Sequence, residues 1–298
     1  MPNIKISRKL KIALYGTRIK KENLPWLSDV YDALSSYDVE LYIHRGTLDY
    51  LVELKQVLPS YIDVYDDRLP QDTDYMITLG GDGTILRAAE LAYRDNVPLV
   101  GINMGHLGFL AAISKENIGH AIDILFKGEM TFEEKILLEV RCPSMPERMI
   151  AINEVAVSRK DSSSMIAIEA YADGHYIATY RGDGLIVSTP TGSTGYSLSC
   201  GGPIITPATQ SIVLTPVASH NLNVRPIIFR DDVKVYIKVS GREDQYLLSL
   251  DSCFQPMNWD EEIEIFKSKY TLRVAKMPQE DFFSTMKEKL GWGSDERN

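Results

Sequence analysis

The segment Gly80-Gly81-Asp82-Gly83-Thr84 follows the continuous apolar run Tyr75-Met76-Ile77-Thr78-Leu79 and opens a stretch of helical spacing, Thr84 to Tyr93. Glycines at a strand-to-helix turn let the backbone approach a ligand, and the N–H groups that open a helix favour phosphate. No Gly-Lys-Ser/Thr follows, so this is not a Walker A loop, and the spacing differs from the GxGxxG dinucleotide fingerprint. What sets it apart is Asp82. A carboxylate repels phosphate, so its place on a phosphate-facing loop calls for other chemistry. It could take the proton from a hydroxyl nucleophile or hold a Mg²⁺ that bridges phosphates. A tight turn capped by Asp would use the same residues; the strand-loop-helix setting favours the chemical reading.

Two further groups carry candidate chemistry. Asn153-Glu154 falls within an expected strand, Ala151 to Val157, whose alternation turns one side chain outward and one inward. There an amide and a carboxylate could bond sugar hydroxyls or an amino group; standing alone, the pair would read as a solvated strand end. Arg181-Gly182-Asp183-Gly184 precedes an expected strand, Leu185 to Thr189, and then the hydroxyl-dense turn Pro190-Thr191-Gly192-Ser193-Thr194-Gly195-Tyr196. Ser193 is placed to cap a short helix running to Cys200, with Gly201-Gly202-Pro203 stopping it.

The elements that must position these residues fall into two textures. Through residue 130, apolar strands (Lys11 to Tyr15, Val39 to Ile43, Tyr75 to Leu79, Pro98 to Ile102) alternate with helical patterns. The helices are Pro25 to Ser36, Thr84 to Tyr93, and Lys115 to Phe126 closed by Gly128. This predicts an α/β domain with a mostly parallel sheet over 1–130. Residues 131–275 read as an all-β, sandwich-like domain. Short β-branched and aromatic strands recur there (136–140, 151–157, 165–171, 176–180, 227–229, 233–239, 246–250, 262–266, 270–274), and Asp173-Gly174 marks a hairpin. Gln279 to Leu290 reads as a terminal helix within 276–298; whether it packs back on the first domain is left open.

Between Gly184 and Val224 there is no Asp, Glu, Lys or Arg in 41 residues, where ordinary composition gives roughly ten. Burial at an interface accounts for part of this. The abundance of Ser, Thr, Gly and Pro points further, to a surface presenting amides and hydroxyls to a polar ligand. The whole chain of 298 residues carries 41 acidic against 32 basic side chains, a net charge of −9. That excludes nucleic acid and an anionic membrane as general partners. Cys142, Cys200 and Cys253 are too scattered for a disulfide framework or a zinc site, which suggests a reducing cytoplasm. The basic N-terminus (Lys5, Arg8, Lys9, Lys11) leads into an apolar run too short for a signal-peptide core, and no stretch is long enough for a membrane span.

In order and spacing, Gly80–Thr84, Asn153-Glu154, Gly182-Asp183-Gly184 and Thr189–Tyr196 resemble the bacterial type of the NAD kinase (ATP-NAD kinase) family. So do Gly101-Ile102-Asn103-Met104-Gly105-His106-Leu107-Gly108-Phe109 and His220-Asn221-Leu222-Asn223-Val224-Arg225-Pro226. The resemblance spans about residue 75 to the C-terminus. The GGDGT loop alone is shared with diacylglycerol- and sphingosine-type lipid kinases; the TPTGSTGY block with the Asn-Glu pair is far more selective.

The resemblance implies transfer of the ATP γ-phosphoryl group to the adenosine 2′-hydroxyl of NAD, giving NADP, with Asp82 as general base. Gly80, Gly81, Gly83 and Thr84 would form the phosphate loop, and Gly83 and Arg87 would lie against the dinucleotide, Arg87 facing phosphate. Asn153 and Glu154 would hold ribose and base groups, and Asp183 would contact the nicotinamide side. Thr194, Gly195, Tyr196, Ser197, Leu198 and Ser199 would line the adenosine site, and Thr191 and Ala218 match binding positions. Mg²⁺ or another divalent cation would arrive with ATP, with no protein side chain assigned to it. A homo-oligomer, dimer or tetramer, joined through the β domain is implied too.

Departures from the pattern are Gly195 where many bacterial members carry Ala, Ser164 where some carry His, and Asp251-Ser252-Cys253 in place of Asp-Ser-Gln or Asp-Gly-Gln. Cys253 reads as a small buried side chain. Arg181 resembles the basic residue of relatives that prefer NAD over NADH. The rival readings are a lipid kinase on the same loop and a non-catalytic NAD/NADP sensor. A lipid groove fits poorly with so many hydroxyls, and a sensor has no use for Asp82. His44, His120 and His175 read as surface or turn residues, Tyr61, Tyr65, Tyr171, Tyr176 and Tyr180 as packing residues, and Asp63, Asp66, Asp67, Asp72 and Asp74 as a solvated loop.

Overall fold

The computed structural model describes residues 8–17, 19–105, 108–160, 165–241, 245–259, 261–278 and 281–293, without the side chains of 146–148. Lys5, His106, Leu107, Ser164 and Gln279, singled out above, lie outside the described residues. The chain forms two compact units, Met1–Glu134 with Leu272–Asn298, and Lys135–Thr271.

The first unit is α/β. Its elements are β1 (Leu10–Gly16), α1 (Pro25–Ser35), β2 (Val39–His44), α2 (Arg45–Glu53), β3 (Ile62–Tyr65), β4 (Tyr75–Leu79), α3 (Asp82–Ala92), β5 (Leu99–Asn103), β6 (Ile113–Ser114) and α4 (Ile118–Lys127). The strands are parallel in the order β3-β2-β1-β4-β5, with β6 beside β5. β4 and β5 read as uninterrupted apolar runs because helices cover both faces of such a sheet; β5 is buried throughout. Gly128 closes α4 in the left-handed conformation (φ +71°).

Two elements of this unit escape the sequence pattern. α2 fully buries only Thr47 and Leu51, with Leu48 and Tyr50 packed partly buried against the same core, a stripe too short to stand out by its period. It is started by His44, whose Nδ1 accepts from Gly46 N. His44 is therefore not a surface or turn residue: it is half-buried between the rings of Tyr15 and Tyr65, and burial pulls its pKa down. β3 is an edge strand lying inside the expected acidic loop. Asp63 belongs to it, and Asp74 is tied to Arg8 and to the backbone N–H of Lys11. Of the tyrosines read as packing residues, Tyr65 and Tyr180 are buried while Tyr61 and Tyr176 are exposed.

The second unit is all-β. Continuing along the chain come β7 (Thr131–Cys142), β8 (Met145–Ala151), β9 (Glu154–Arg159), β10 (Ile166–Ala172), β11 (His175–Gly182), β12 (Gly184–Ser188), α5 (Tyr196–Ser199), β13 (Ser211–Val217), β14 (Ile227–Arg230), β15 (Val235–Ser240), β16 (Gln245–Leu250), β17 (Cys253–Asn258) and β18 (Glu262–Lys276). One antiparallel sheet runs β14-β13-β12-β9-β16-β17; facing it are β11-β10-β15-β18 and the β7-β8 hairpin. Leu138, Val155, Val157, Ile168, Leu185, Val187, Ile212, Ile237 and Leu248 belong to one core cluster. Asp173 and Gly174 both have positive φ (48° and 81°), the geometry of a tight two-residue hairpin turn.

Three expected details change here. The strand read from Ala151 to Val157 is broken at Ile152-Asn153, and a new strand starts at Glu154. The two strands read at 262–266 and 270–274 are one, because Ser268 is buried and bonds Glu139 rather than turning the chain. Cys253 is exposed on the edge strand β17, not buried. The last residues of β18 belong to the first unit, with Val274 beside Leu99. So does α6 (Phe282–Leu290), which Asp281 caps by accepting from Phe283 N and Ser284 N.

Candidate functional site

In the first unit the site residues collect at the carboxyl ends of adjacent parallel strands, the usual place for ligands in an open α/β sheet. β1 and β4 end side by side, Gly16 opposite Leu79. Beyond them lie Thr17 and Gly80. A Cβ on Gly80 would sit 2.2 Å from Thr84 Oγ1, so only glycine lets α3 close down on the strand. The helix starts at Asp82, two residues earlier than its spacing predicts, with Gly81 as N-cap. Asp82 thus stands in the first turn, where the helix dipole favours a negative charge.

Three backbone donors hold the Asp82 carboxylate. Phe109 N reaches Oδ2 at 2.9 Å, and Leu110 N and Ala111 N reach Oδ1 at 3.1 and 2.9 Å. A Cβ on Gly108 would lie 1.8 Å from Oδ1. Buried Asn103 shapes the approach of that loop, accepting from Gly105 N and donating to Ala111 O. Gly108 and Phe109, the end of the Gly101–Phe109 block, therefore cradle Asp82 together with Leu110 and Ala111 beyond it. Gly81 and Gly83 differ from Gly80 and Gly108: a Cβ on either meets nothing within 4 Å. Exposed Arg87, one turn on, donates from Nη2 to Thr17 Oγ1 at 3.1 Å.

In the second unit Asn153 and Glu154 occupy the break between β8 and β9. Asp251, in the turn between β16 and β17, accepts from Ile152 N (2.9 Å), Asn153 N (2.8 Å) and Glu154 N (3.0 Å). Its own φ is +49°, and its N–H returns to Glu154 O. Sequence reasoning treated Asp251 only as part of a departing motif; its separation from Asn153 along the chain hid the contact. Glu154 is 9% exposed and its Oε2 has no hydrogen-bond partner. Burial, then the nearby charge of Asp251, pushes its pKa up to about 8, against the pull of the Tyr196 N–H.

The hydroxyl-rich turn is stitched onto this break. Thr189 Oγ1 donates to Ile152 O and Thr189 N to Asn153 O. A Cβ on Gly192 would lie 2.1 Å from Asn153 O, and one on Gly195 3.1 Å from Glu154 Oε2. Ser193 does not cap a helix: its Oγ donates to Pro190 O and accepts from Ile205 N. Gly195 precedes the single turn of α5 instead, and Gly201 (φ +80°) follows it. Ser197 is wholly buried, its Oγ 2.8 Å from Thr215 Oγ1. Several of the hydroxyls in the neutral stretch therefore serve the chain itself. Thr191, Thr194, Gly195, Tyr196, Leu198 and Ser199 keep accessible surface, and of these Gly195 and Tyr196 adjoin Glu154.

Arg181, Asp183 and Ala218 gather towards the other end of β12, which begins at Gly184 opposite Val217 and ends at Ser188 opposite Glu154. Tyr196 is within electrostatic reach of both groups: burial raises the pKa of its hydroxyl, and after Cys200 the charges of Asp183 and Glu154 add to the rise. Asp183 pairs with Arg159 (Nε to Oδ1, 3.0 Å). Ala218 has φ +43°, and Gly182 and Gly184 pass so close to Val217 O and Val157 O that neither admits a Cβ. Among the described residues no three His, Cys, Asp or Glu side chains come together as a metal cluster, and no helix is long and apolar enough to cross a membrane.

Residues 36–130 match the family model described as the ATP-NAD kinase N-terminal domain, and residues 152–277 that of the ATP-NAD kinase C-terminal domain. The chain is 43% identical over 294 residues to an NAD kinase of Flavobacterium johnsoniae, covering 97% of this chain and all of that protein. It is 35% identical over 290 residues to an NAD kinase of Bacteroides fragilis, with the same coverage. Its fold is similar to a crystal structure of yeast NADH kinase complexed with NADH (TM-score 0.86, 23% identity, 97% of this chain and 89% of that one). It is similar too to an NAD kinase from Archaeoglobus fulgidus in complex with ATP (TM-score 0.68, 24% identity, 95% and 98%).

Proposed function

The chain belongs to the NAD kinase family and is an ATP-dependent NAD kinase, and from that premise we propose that Asp82 is the base that activates the adenosine 2′-hydroxyl. In that step the O–H proton passes to the Asp82 carboxylate and the oxygen attacks the γ-phosphorus. The bond to the β–γ bridging oxygen breaks, leaving ADP and NADP. Phosphoryl transfer asks mainly for positioning and charge stabilisation. The observation that carries the reading is the way Asp82 is held, by three N–H donors and at a helix start. Its orientation is set before substrate arrives, and Oδ2, with a single N–H on it, keeps a lone pair for the proton.

Gly80, Gly81, Gly83 and Thr84 form the phosphate loop in this reading, with Arg87 facing phosphate. The open space over Gly81 and Gly83 supports it, since the fold itself does not need glycine there. Asn153, Glu154, Thr191 and Thr194 to Ser199 hold the adenosine side of NAD, Ser197 through its backbone, and the unpartnered Glu154 Oε2 is left for a polar group of the ligand. Arg181, Asp183 and Ala218, at the far end of β12, take the nicotinamide side. Magnesium would arrive held by the ATP phosphates and water, with no protein side chain assigned to it, since the free lone pair on Asp82 Oδ2 takes the proton. When bound it would neutralise charge on the phosphate oxygens. The three free cysteines support a cytoplasmic location, and a dimer or tetramer through the β domain completes the reading.

Purified protein with ATP, Mg²⁺ and NAD is expected to yield NADP, read by an NADP-specific dehydrogenase. Asp82→Asn is expected to bind NAD while losing about 10²-fold or more of kcat. An unchanged kcat would remove Asp82 from the base role.

A further inference from the structure

Thr17, one residue beyond β1, lies in a part of the chain that no motif singles out. Its hydroxyl is 3.1 Å from Arg87 Nη2, which donates to it, and 3.4 Å from Thr84 Oγ1. Thr84 is buried, pressed against Gly80, which has no room for a Cβ. A short chain of contacts thus runs from the phosphate loop to the guanidinium: Gly80, Thr84, Thr17, Arg87. Its members come from the carboxyl ends of two neighbouring strands and from the first turns of α3. Without the Thr17 bond, nothing in this set fixes where the long, exposed Arg87 side chain rests. Arginine loses much rotamer freedom when ordered, so a pre-formed bond lowers the cost of binding.

We propose that Thr17 is a positioning residue for the reaction: its hydroxyl holds the Arg87 guanidinium over the ends of β1 and β4, ready for a phosphate group of a substrate. The proposal rests on the reading that Arg87 faces phosphate. That phosphate belongs either to ATP or to the pyrophosphate of NAD, and the KM of each substrate tells which.

The test uses the full chain with Thr17→Val, Thr17→Ala, Thr17→Ser and Arg87→Ala, and the double variant Thr17→Val/Arg87→Ala. Thr17→Val is expected to raise one of the two KM values by about fivefold or more, with kcat changed less than about twofold and Tm within about 2 °C. Thr17→Ala covers the case in which valine disturbs packing, and Thr17→Ser is expected to restore the KM. In the Arg87→Ala background, Thr17→Val is expected to add less than about twofold, because the bond it removes is already gone. The proposal is overturned if neither KM moves in Thr17→Val and Thr17→Ala, or if the Thr17 effect persists in full without Arg87. If Arg87→Ala itself leaves both KM values unchanged, the phosphate reading of Arg87 fails, and the role of Thr17 with it.

Discussion

Asp251 Oδ1 lies 2.8 Å from the backbone nitrogen of Asn153, a residue 98 positions earlier in the chain. With the N–H groups of Ile152 and Glu154 on the same carboxylate, this contact turns the chain between β8 and β9 and so presents the Asn-Glu pair. Asp251→Asn puts an NH₂ group against an array of donors, leaving at least one buried N–H unpaired. The expected loss of stability is about 1–3 kcal/mol, read by urea unfolding, together with a rise in the KM for NAD and little change in that for ATP. Equal rises in both would mean that Asp251 does not act through the Asn153-Glu154 turn.

Glu154 makes stability depend on pH in the unusual direction. Burial and the charge of Asp251 raise its folded-state pKa to about 8, against 4.5 when unfolded. Between those values the folded state holds a proton that the unfolded state has lost, so the contribution of Glu154 is fully present below about pH 4.5 and is lost as pH rises towards 8. Over that window the loss is on the order of a few kcal/mol. Glu154→Gln, which cannot ionise, is expected to flatten the profile and to be the more stable protein at pH 8.5. Unfolding free energies at pH 5.5, 7 and 8.5 decide it; parallel profiles for the two proteins would refute the assignment.

How much of this was legible depended on whether the cause was local. Tyr75–Leu79 and the glycine loop could be read because a buried parallel strand is apolar throughout and a close backbone turn needs glycine. The Asp173-Gly174 hairpin was legible for the same kind of reason. Helix α2 was not, because its start is a His44 ring and its fully buried anchors are only Thr47 and Leu51. The neutral stretch from Gly184 to Val224 was legible as special, though part of its meaning was hidden. β13 lies inside it unannounced, and whether a serine faces a ligand or another hydroxyl is decided by tertiary pairing. Asp251 shows the same limit, since its three donors come from a distant strand break.

Ser197 and Thr215 provide a test of that point. Their hydroxyls are buried and 2.8 Å apart, so removing one leaves the other without its partner. Ser197→Ala and Thr215→Val are each expected to cost about 1–2 kcal/mol. The double variant is expected to cost clearly less than the sum, since no hydroxyl is left stranded. Chemical denaturation of the four proteins gives the coupling energy. A coupling near zero, or a kcat that falls while stability holds, would move Ser197 from structure to substrate contact.

The glycines near Asp82 separate structural from functional need most sharply. A Cβ on Gly108 would stand 1.8 Å from Asp82 Oδ1, so Gly108→Ala must push the carboxylate off its three donors. It is expected to lower Tm and to reduce kcat by about 10²-fold, the scale on which a displaced catalytic group is felt. A Cβ on Gly81 or Gly83 meets nothing within 4 Å, and Gly83 lies inside α3, where alanine is the better helix former. Gly83→Ala is therefore expected to leave Tm unchanged or slightly raised, and Gly81→Ala, at the N-cap, to lower it slightly. If the open space above them is where phosphate approaches the backbone, the same substitutions raise the KM for ATP by about tenfold. Thermal melts and initial rates on the three variants read both effects. Full activity in Gly81→Ala and Gly83→Ala would mean that phosphate does not come down on this loop, whatever becomes of Gly108→Ala.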